Sequence, residues 1–114
     1  GYTDEDVFDT FTPKLDLRPI AHKITCPYLC VAGGDDELSP IEHTYDLLER
    51  IIAPKRLVVY EGARHAIGPV PSVALGENPH NLIADWFVDR FADKPMTSEK
   101  VYMDSLGRAT ATQY

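Results

Sequence analysis

Two short apolar runs with a helical pattern between them limit this chain to one kind of architecture. The first is Tyr28-Leu29-Cys30-Val31-Ala32 and the second is Leu57-Val58-Val59-Tyr60. Neither alternates apolar with polar residues, so neither suits a strand with one wet face. Continuous runs of this length belong to strands covered on both faces, as in parallel sheets packed between helices. Between them, Ile41, Tyr45, Leu48 and Ile52 recur at helical spacing, with Leu47 and Ile51 widening the stripe. Strand, helix, strand at this spacing is a βαβ unit, right-handed by default. Pro27 stands at the first position of the first strand, where a sheet tolerates proline.

The segment leaving each run carries the chemistry. The first run enters Gly33-Gly34-Asp35-Asp36-Glu37-Leu38-Ser39-Pro40, and the second enters Glu61-Gly62-Ala63-Arg64-His65. Parallel α/β sheets present their reactive groups at the carboxyl ends of the strands, and glycines there admit backbone conformations that other residues resist. Adjacent parallel strands lie about 4.8 Å apart, so loops at one edge can bring an acid and a histidine together. A carboxylate on one ring nitrogen fixes the tautomer and leaves the other nitrogen as a general base. Asp36 and His65 are therefore the candidate acid and base, with Asp35 the rival acid. Alone, an Asp-Gly stretch is an ordinary turn and a loop histidine is usually inert; the pair at consecutive strand ends is what carries the reading. His22 reads as a surface or packing residue, His43 as solvated on a helix, and His80 as lying in the first turn of the last helix. Arg64 reads as a solvated cation.

No nucleophile is visible. Ser39 with Pro40 reads as an N-cap followed by an N1 proline, with Glu42 at N3. Ser72, Ser98 and Ser105 have no G-x-S-x-G around them. Cys26 and Cys30 bracket the first strand, and at that spacing sit about 13 Å apart, too far for a disulfide. They read as two buried free thiols of a reducing compartment, which places the protein in the cytoplasm.

The remaining chain fills in around this unit. Thr3 with Asp6 fits an N-cap box opening a helix whose stripe is Val7, Phe8 and Phe11, ended by Pro13. Leu15 to Ile24 reads as a loop with one helical turn. Ala53-Pro54 stops the central helix. Ala63 to Glu77 is rich in Gly and Pro and reads as a loop of about fifteen residues, a length usually tied to function. Asn78-Pro79 caps a last helix whose face is Leu82, Ile83, Trp86, Phe87 and Phe91, ended at Lys94-Pro95. Lys100 to Met103 reads as a short edge strand, and Thr110 to Tyr114 as a mobile end.

With 114 residues the chain holds at most one small domain with a thin core. A formal net charge of -7 argues against nucleic acid or an anionic membrane as partner. Two strands cannot complete a doubly covered sheet, and the first residue is Gly1. The expectation is that further strands come from an upstream part of the same protein.

Taken together, Ile24 to Pro40 and Tyr60 to His65 resemble the C-terminal end of an α/β-hydrolase. In that family the acid stands in a G-x-x-D-x-x-x-P setting after the seventh strand, which here selects Asp36 over Asp35. The histidine stands in a G-x-x-H setting after the eighth, which here is His65. The family's order is Ser, acid, His, so the chain would hold the last two triad members. The resemblance covers residues 15 to 93. It implies an α/β fold, strands 7 and 8 of a hydrolase sheet with flanking helices, incomplete on its own. Residues 1–14 would end a cap or connecting helix, 15–95 would be hydrolase domain, and 96–114 a tail. Ile24 to Pro27, and Asn81 to Arg90 followed by Lys94-Pro95-Met96, further resemble cap-bearing hydrolases such as bacterial dihydroxypseudooxynicotine hydrolase and fungal polyketide-shortening pigment hydrolases. These would imply cleavage, without a metal or other cofactor, of an ester or of a carbon–carbon bond beside a carbonyl. The expected partners are a small-molecule substrate, the upstream part of the same protein and a second copy in a homodimer. The competing reading is a non-catalytic module that binds a partner through an open sheet edge.

Overall fold

The computed structural model describes residues 4–114. Thr3 and the side chains of Val7, Phe8 and Phe11, expected to cap and stripe the first helix, lie outside what is described. In chain order the elements are helix α1 (Asp4–Phe11), two 3-10 turns (Thr12–Leu15 and Arg18–Lys23), strand β1 (Tyr28–Gly33), helix α2 (Ile41–Arg50), strand β2 (Lys55–Tyr60), short helix α3 (Pro71–Leu75), helix α4 (Pro79–Phe91), and strands β3 (Glu99–Met103) and β4 (Ala109–Gln113). The strands form one sheet in the order β1-β2-β3-β4. β1 and β3 both run parallel to β2, and β4 returns antiparallel to β3. This is a mixed α/β sheet with flanking helices.

β2 is the centre because its sequence leaves no polar face. Leu57, Val58 and Tyr60 are fully buried and Val59 nearly so. Successive side chains point to opposite faces of a strand. Leu57 and Val59 pack with Leu48, Ile51, Ala53 and Ala21 on the α2 side. Val58 and Tyr60 pack with Ala63, Leu82, Val101 and Met103 on the α4 side. Each buried Leu, Ile, Val or Met among these contributes about 1.5–3 kcal/mol through burial. The unalternating run therefore does what it predicted, coupling two half-cores through one strand.

Several expectations are corrected. α2 stops at Arg50; Ile51 is extended at φ -78° and ψ 122°, and Ile52, expected in its stripe, is 79% exposed. A buried lysine accounts for the early stop: Lys55 Nζ donates to the carbonyls of Leu48 and Ile51 at 2.6 and 2.8 Å, satisfying the last turn. Ser39 is not a helix cap. Pro40 occupies the N-cap position with no side-chain cap bond, because the backbone before it is held by Asp36 instead. Asn78 does cap α4, accepting from the N–H groups of His80 and Asn81.

The chain end is the largest difference. Lys100 to Met103 is an interior strand between β2 and β4, and Thr110 to Gln113 is paired with β3 rather than loose. The sheet therefore has four strands, where two and a short edge strand were expected. A hairpin turn makes this return: Asp104 Oδ1 accepts from the N–H groups of Leu106 and Arg108, and Gly107 takes φ 77°. The long loop expected over residues 63–77 likewise contains α3. Cys26 is exposed and Cys30 half-buried, so the thiols are free but not both buried.

On the opposite edge β1 pairs only with β2 among the described strands, and its residues up to Ala32 are half-buried rather than covered. Beyond it the face of α4 is only partly seated. Leu82 is buried, but Phe87 and Phe91 are 50% and 86% exposed. Two grooves of about 440 and 450 Å³ follow this edge and share Pro27, Trp86 and Phe87. No helix among the described residues is long and apolar enough to cross a membrane.

Candidate active site

β1 and β2 end side by side, with Gly33 in register with Tyr60. Gly33 is buried because the loop leaving β2 crosses directly over it. A Cβ there would lie 2.3 Å from the Ala63 carbonyl oxygen and 2.5 Å from that of Arg64. Only glycine allows so close an approach of two backbones. The loops are then stitched by backbone hydrogen bonds: Gly34 N–H to Tyr60 O and Asp35 N–H to Ala63 O, both at 2.9 Å.

This stitching brings Asp36 to His65. His65 Nδ1 lies 2.9 Å from Asp36 Oδ2, while Asp36 Oδ1 accepts from the N–H groups of Leu38 and Ser39, each at 2.9 Å. The acid side chain is 10% exposed and the histidine 58%. Partial burial works to raise the Asp36 carboxyl, but the Ser39 N–H, the His65 ring and the Leu38 N–H outweigh it and hold the group below its ordinary value of 3.8. An ionised carboxylate accepts only, so His65 Nδ1 carries the proton in this bond and Nε2 is left as the basic nitrogen.

The rival residues fall elsewhere. Asp35 is exposed and gives its N–H, not its carboxylate, to the junction. Arg64 reaches Glu37 at 3.8 Å across the two loops, both side chains largely solvated, so the pair is worth about 0–1 kcal/mol. His22, His43 and His80 are exposed. Ser72 is fully buried and donates from Oγ to the Glu61 carbonyl at 2.7 Å. Ser98 Oγ accepts from the Lys55 N–H, and the Ser105 N–H goes to Glu61 Oε2. The Ser72 and Ser98 hydroxyls are thus engaged with backbone, and Ser105 with Glu61. Among the described residues no three His, Cys, Asp or Glu side chains gather as a metal site would need.

Sequence reasoning missed the supports beneath His65. Tyr60 hydroxyl donates to the Glu77 carbonyl at 2.6 Å, tying the far end of the long loop to β2. Glu61 accepts from the hairpin turn at 2.6 Å. A buried tyrosine at a strand end that needs a partner for its hydroxyl was the available signal for the first. The second had no local signal, since its partner is 44 positions away.

Over 71 residues, 62% of its length, the chain is 41% identical to a non-heme chloroperoxidase, CPO-A1, of Kitasatospora aureofaciens, a member of the α/β-hydrolase family. It spans 22% of that protein's length. No protein-family model matches the chain, and no solved structure matches it. The likeness, with the mixed sheet and flanking helices, supports the α/β-hydrolase superfamily and a hydrolase-type fragment, at that coarse level.

Proposed function

We propose that this chain is the acid-and-base part of a serine hydrolase, supplying Asp36 and His65 to a Ser-Asp-His triad whose nucleophile lies in an upstream part of the same protein. The observation that carries this is the 2.9 Å hydrogen bond between the two side chains, made where the carboxyl ends of two parallel strands meet. In this reading His65 Nε2 takes the proton of the serine hydroxyl as it attacks a carbonyl carbon. The same nitrogen returns the proton to the leaving group. Asp36 fixes the tautomer and stabilises the imidazolium. The donors for the developing oxyanion would stand mainly upstream with the serine.

The substrate class is an ester or a carbon–carbon bond beside a carbonyl, in line with the resemblance to cap-bearing hydrolases. Residues 1–14 would connect to such a cap. In that protein β1 and β2 would be the seventh and eighth strands of a larger sheet. Among the described residues the edge of β1 is unpaired and the aromatic face of α4 is uncovered, and these would be where the rest of the sheet is received. That same edge favours the second reading, a non-catalytic module that pairs with a partner strand. The likeness to a chloroperoxidase adds halide oxidation as an activity to assay.

A fluorophosphonate probe separates the two without knowledge of the substrate, because it labels only a serine activated by a base. Applied to the intact protein, it should modify one serine upstream of Gly1, and His65→Ala should abolish labelling while the circular-dichroism spectrum is kept. Absence of a labelled serine, or labelling that survives His65→Ala, would overturn the enzyme reading.

A further inference from the structure

Glu61, the first residue past β2, is tied at three points. Its N–H donates to Met103 O at 3.0 Å, its carbonyl accepts from buried Ser72 Oγ at 2.7 Å, and Oε2 accepts from Ser105 N–H at 2.6 Å. Ser105 sits in the β3–β4 turn, and that turn is pressed onto the same long loop. A Cβ on Gly107 would meet the Leu75 carbonyl oxygen at 2.4 Å, and one on Gly76 would meet Met103 Cγ at 2.6 Å. Two residues beyond Glu61, fully buried Ala63 is anchored through its carbonyl to Asp35 N–H. Between these anchors Gly62 takes φ 73° with nothing within 4 Å of the position a Cβ would fill. That turn is closed by the Ala63 N–H to the Tyr60 carbonyl at 3.3 Å, a long bond, so the path from β2 to His65 also depends on what holds its two sides.

We propose that Glu61 is a positioning residue for His65 and that the β3–β4 hairpin clamps the histidine loop through it. The inference rests on the reading of Asp36 and His65 as the working pair. The hairpin is then a functional part of the site rather than an appended edge. Removing the carboxylate releases the Ser105 N–H, so the hairpin no longer holds the turn that leads to His65, and His65 Nδ1 shifts relative to Asp36. The Ser105 hydroxyl and N–H hold the Glu61 carboxyl below its ordinary value, in keeping with an ionised acceptor, and Tyr102 faces the same group.

The test is ring-nitrogen NMR on the intact protein with 15N-histidine, at about pH 9 where imidazoles are neutral. Wild-type His65 should stand in the Nδ1–H tautomer, in contrast to exposed His22 and His43. Glu61→Ala should move His65 at least halfway to the balance those two show. Glu61→Gln keeps an acceptor oxygen without the charge and should restore the wild-type signal. Equal effects of both variants, which a through-space charge would give, overturn the proposal, as does no effect of Glu61→Ala in a folded protein. Should Glu61→Ala not fold, amide exchange in the wild type decides: Ser105 N–H protected as strongly as Asp35 N–H supports the clamp, and a freely exchanging Ser105 overturns it. A wild-type His65 already matching His22 and His43 overturns the pairing itself, a result distinct from loss of the clamp because it needs no Glu61 variant.

Discussion

The loops that present Asp36 and His65 solve the same problem by opposite means. Asp36 is held by its own neighbourhood: its Oδ1 takes the N–H groups two and three residues on, a turn written within four consecutive positions. His65 bonds to Asp36, and the end of β2 and the loop beneath it are held by Asp35, Ser72, Glu77 and Ser105, each 11 or more positions from its partner. The acid is also the buried member and the histidine the exposed one. A locally encoded acid supplies a rigid reference.

The strongest way to break this comparison is at the acid. Asp36→Asn keeps the shape and can keep the turn through its amide oxygen, but favours the wrong histidine tautomer. In the intact protein it should lower kcat by about 10⁴-fold, the cost that change carries in serine-protease triads. Asp35→Asn should leave kcat within a few-fold, because only the Asp35 N–H serves the junction. Steady-state rates on an aryl ester measure both, and a larger loss at Asp35 would move the acid by one position.

Next in size is the crossing point. Gly33→Ala puts a methyl where the Ala63 carbonyl oxygen lies 2.3 Å away, and that atom is backbone, which cannot swing aside. Relief of such overpacking should cost about 1–3 kcal/mol in urea unfolding. The displaced carbonyl takes the Asp35 N–H, while Leu38 and Ser39 bond within their own turn, so the Ala63 and Arg64 amides should move most and the Leu38 and Ser39 amides least in NMR shift. Movement of both sets alike would show that the acid turn is not independent after all.

The same division decides what could be read from the sequence. β1, α2, β2 and α4 were legible because each carries a strong local pattern: an unalternating run, a helical stripe, or Asn78-Pro79 as a cap. The meeting of Asp36 with His65 was legible because each follows such an element a few residues after glycine. What failed was decided at a distance. Lys55 ends α2 by reaching back to Leu48 and Ile51, so Ile52 left a stripe its spacing had joined. Ala109 to Gln113 has five exposed residues and no apolar face, so only its pairing with β3 makes it a strand. Asp104 with Gly107 was a turn signal, but its meaning depended on β3 being interior. The α4 face was read correctly as apolar, yet Phe91 finds no cover within the described chain.

The smallest expected effect is acidic, and it concerns the acid turn alone. The folded Asp36 carboxyl is held below 3.8. A depressed folded value means the unfolded chain binds the proton more readily, so the contribution of Asp36 is fully present above the unfolded value and is lost as pH falls through the folded one. Glu61, Asp104 and Asp16 are depressed as well, so the wild-type acid curve sums several groups. Subtraction isolates one. The stability difference between wild type and Asp36→Asn, measured by urea unfolding, should be constant from neutral pH to about pH 5 and shrink below the ordinary carboxylate value. His65→Ala should retain most of the same acid-side slope in the Asp36 comparison, because the Leu38 and Ser39 N–H groups still stabilise the carboxylate. If the slope vanished with the imidazole, the histidine rather than the local turn would be holding the acid, and the contrast between the two loops would reverse.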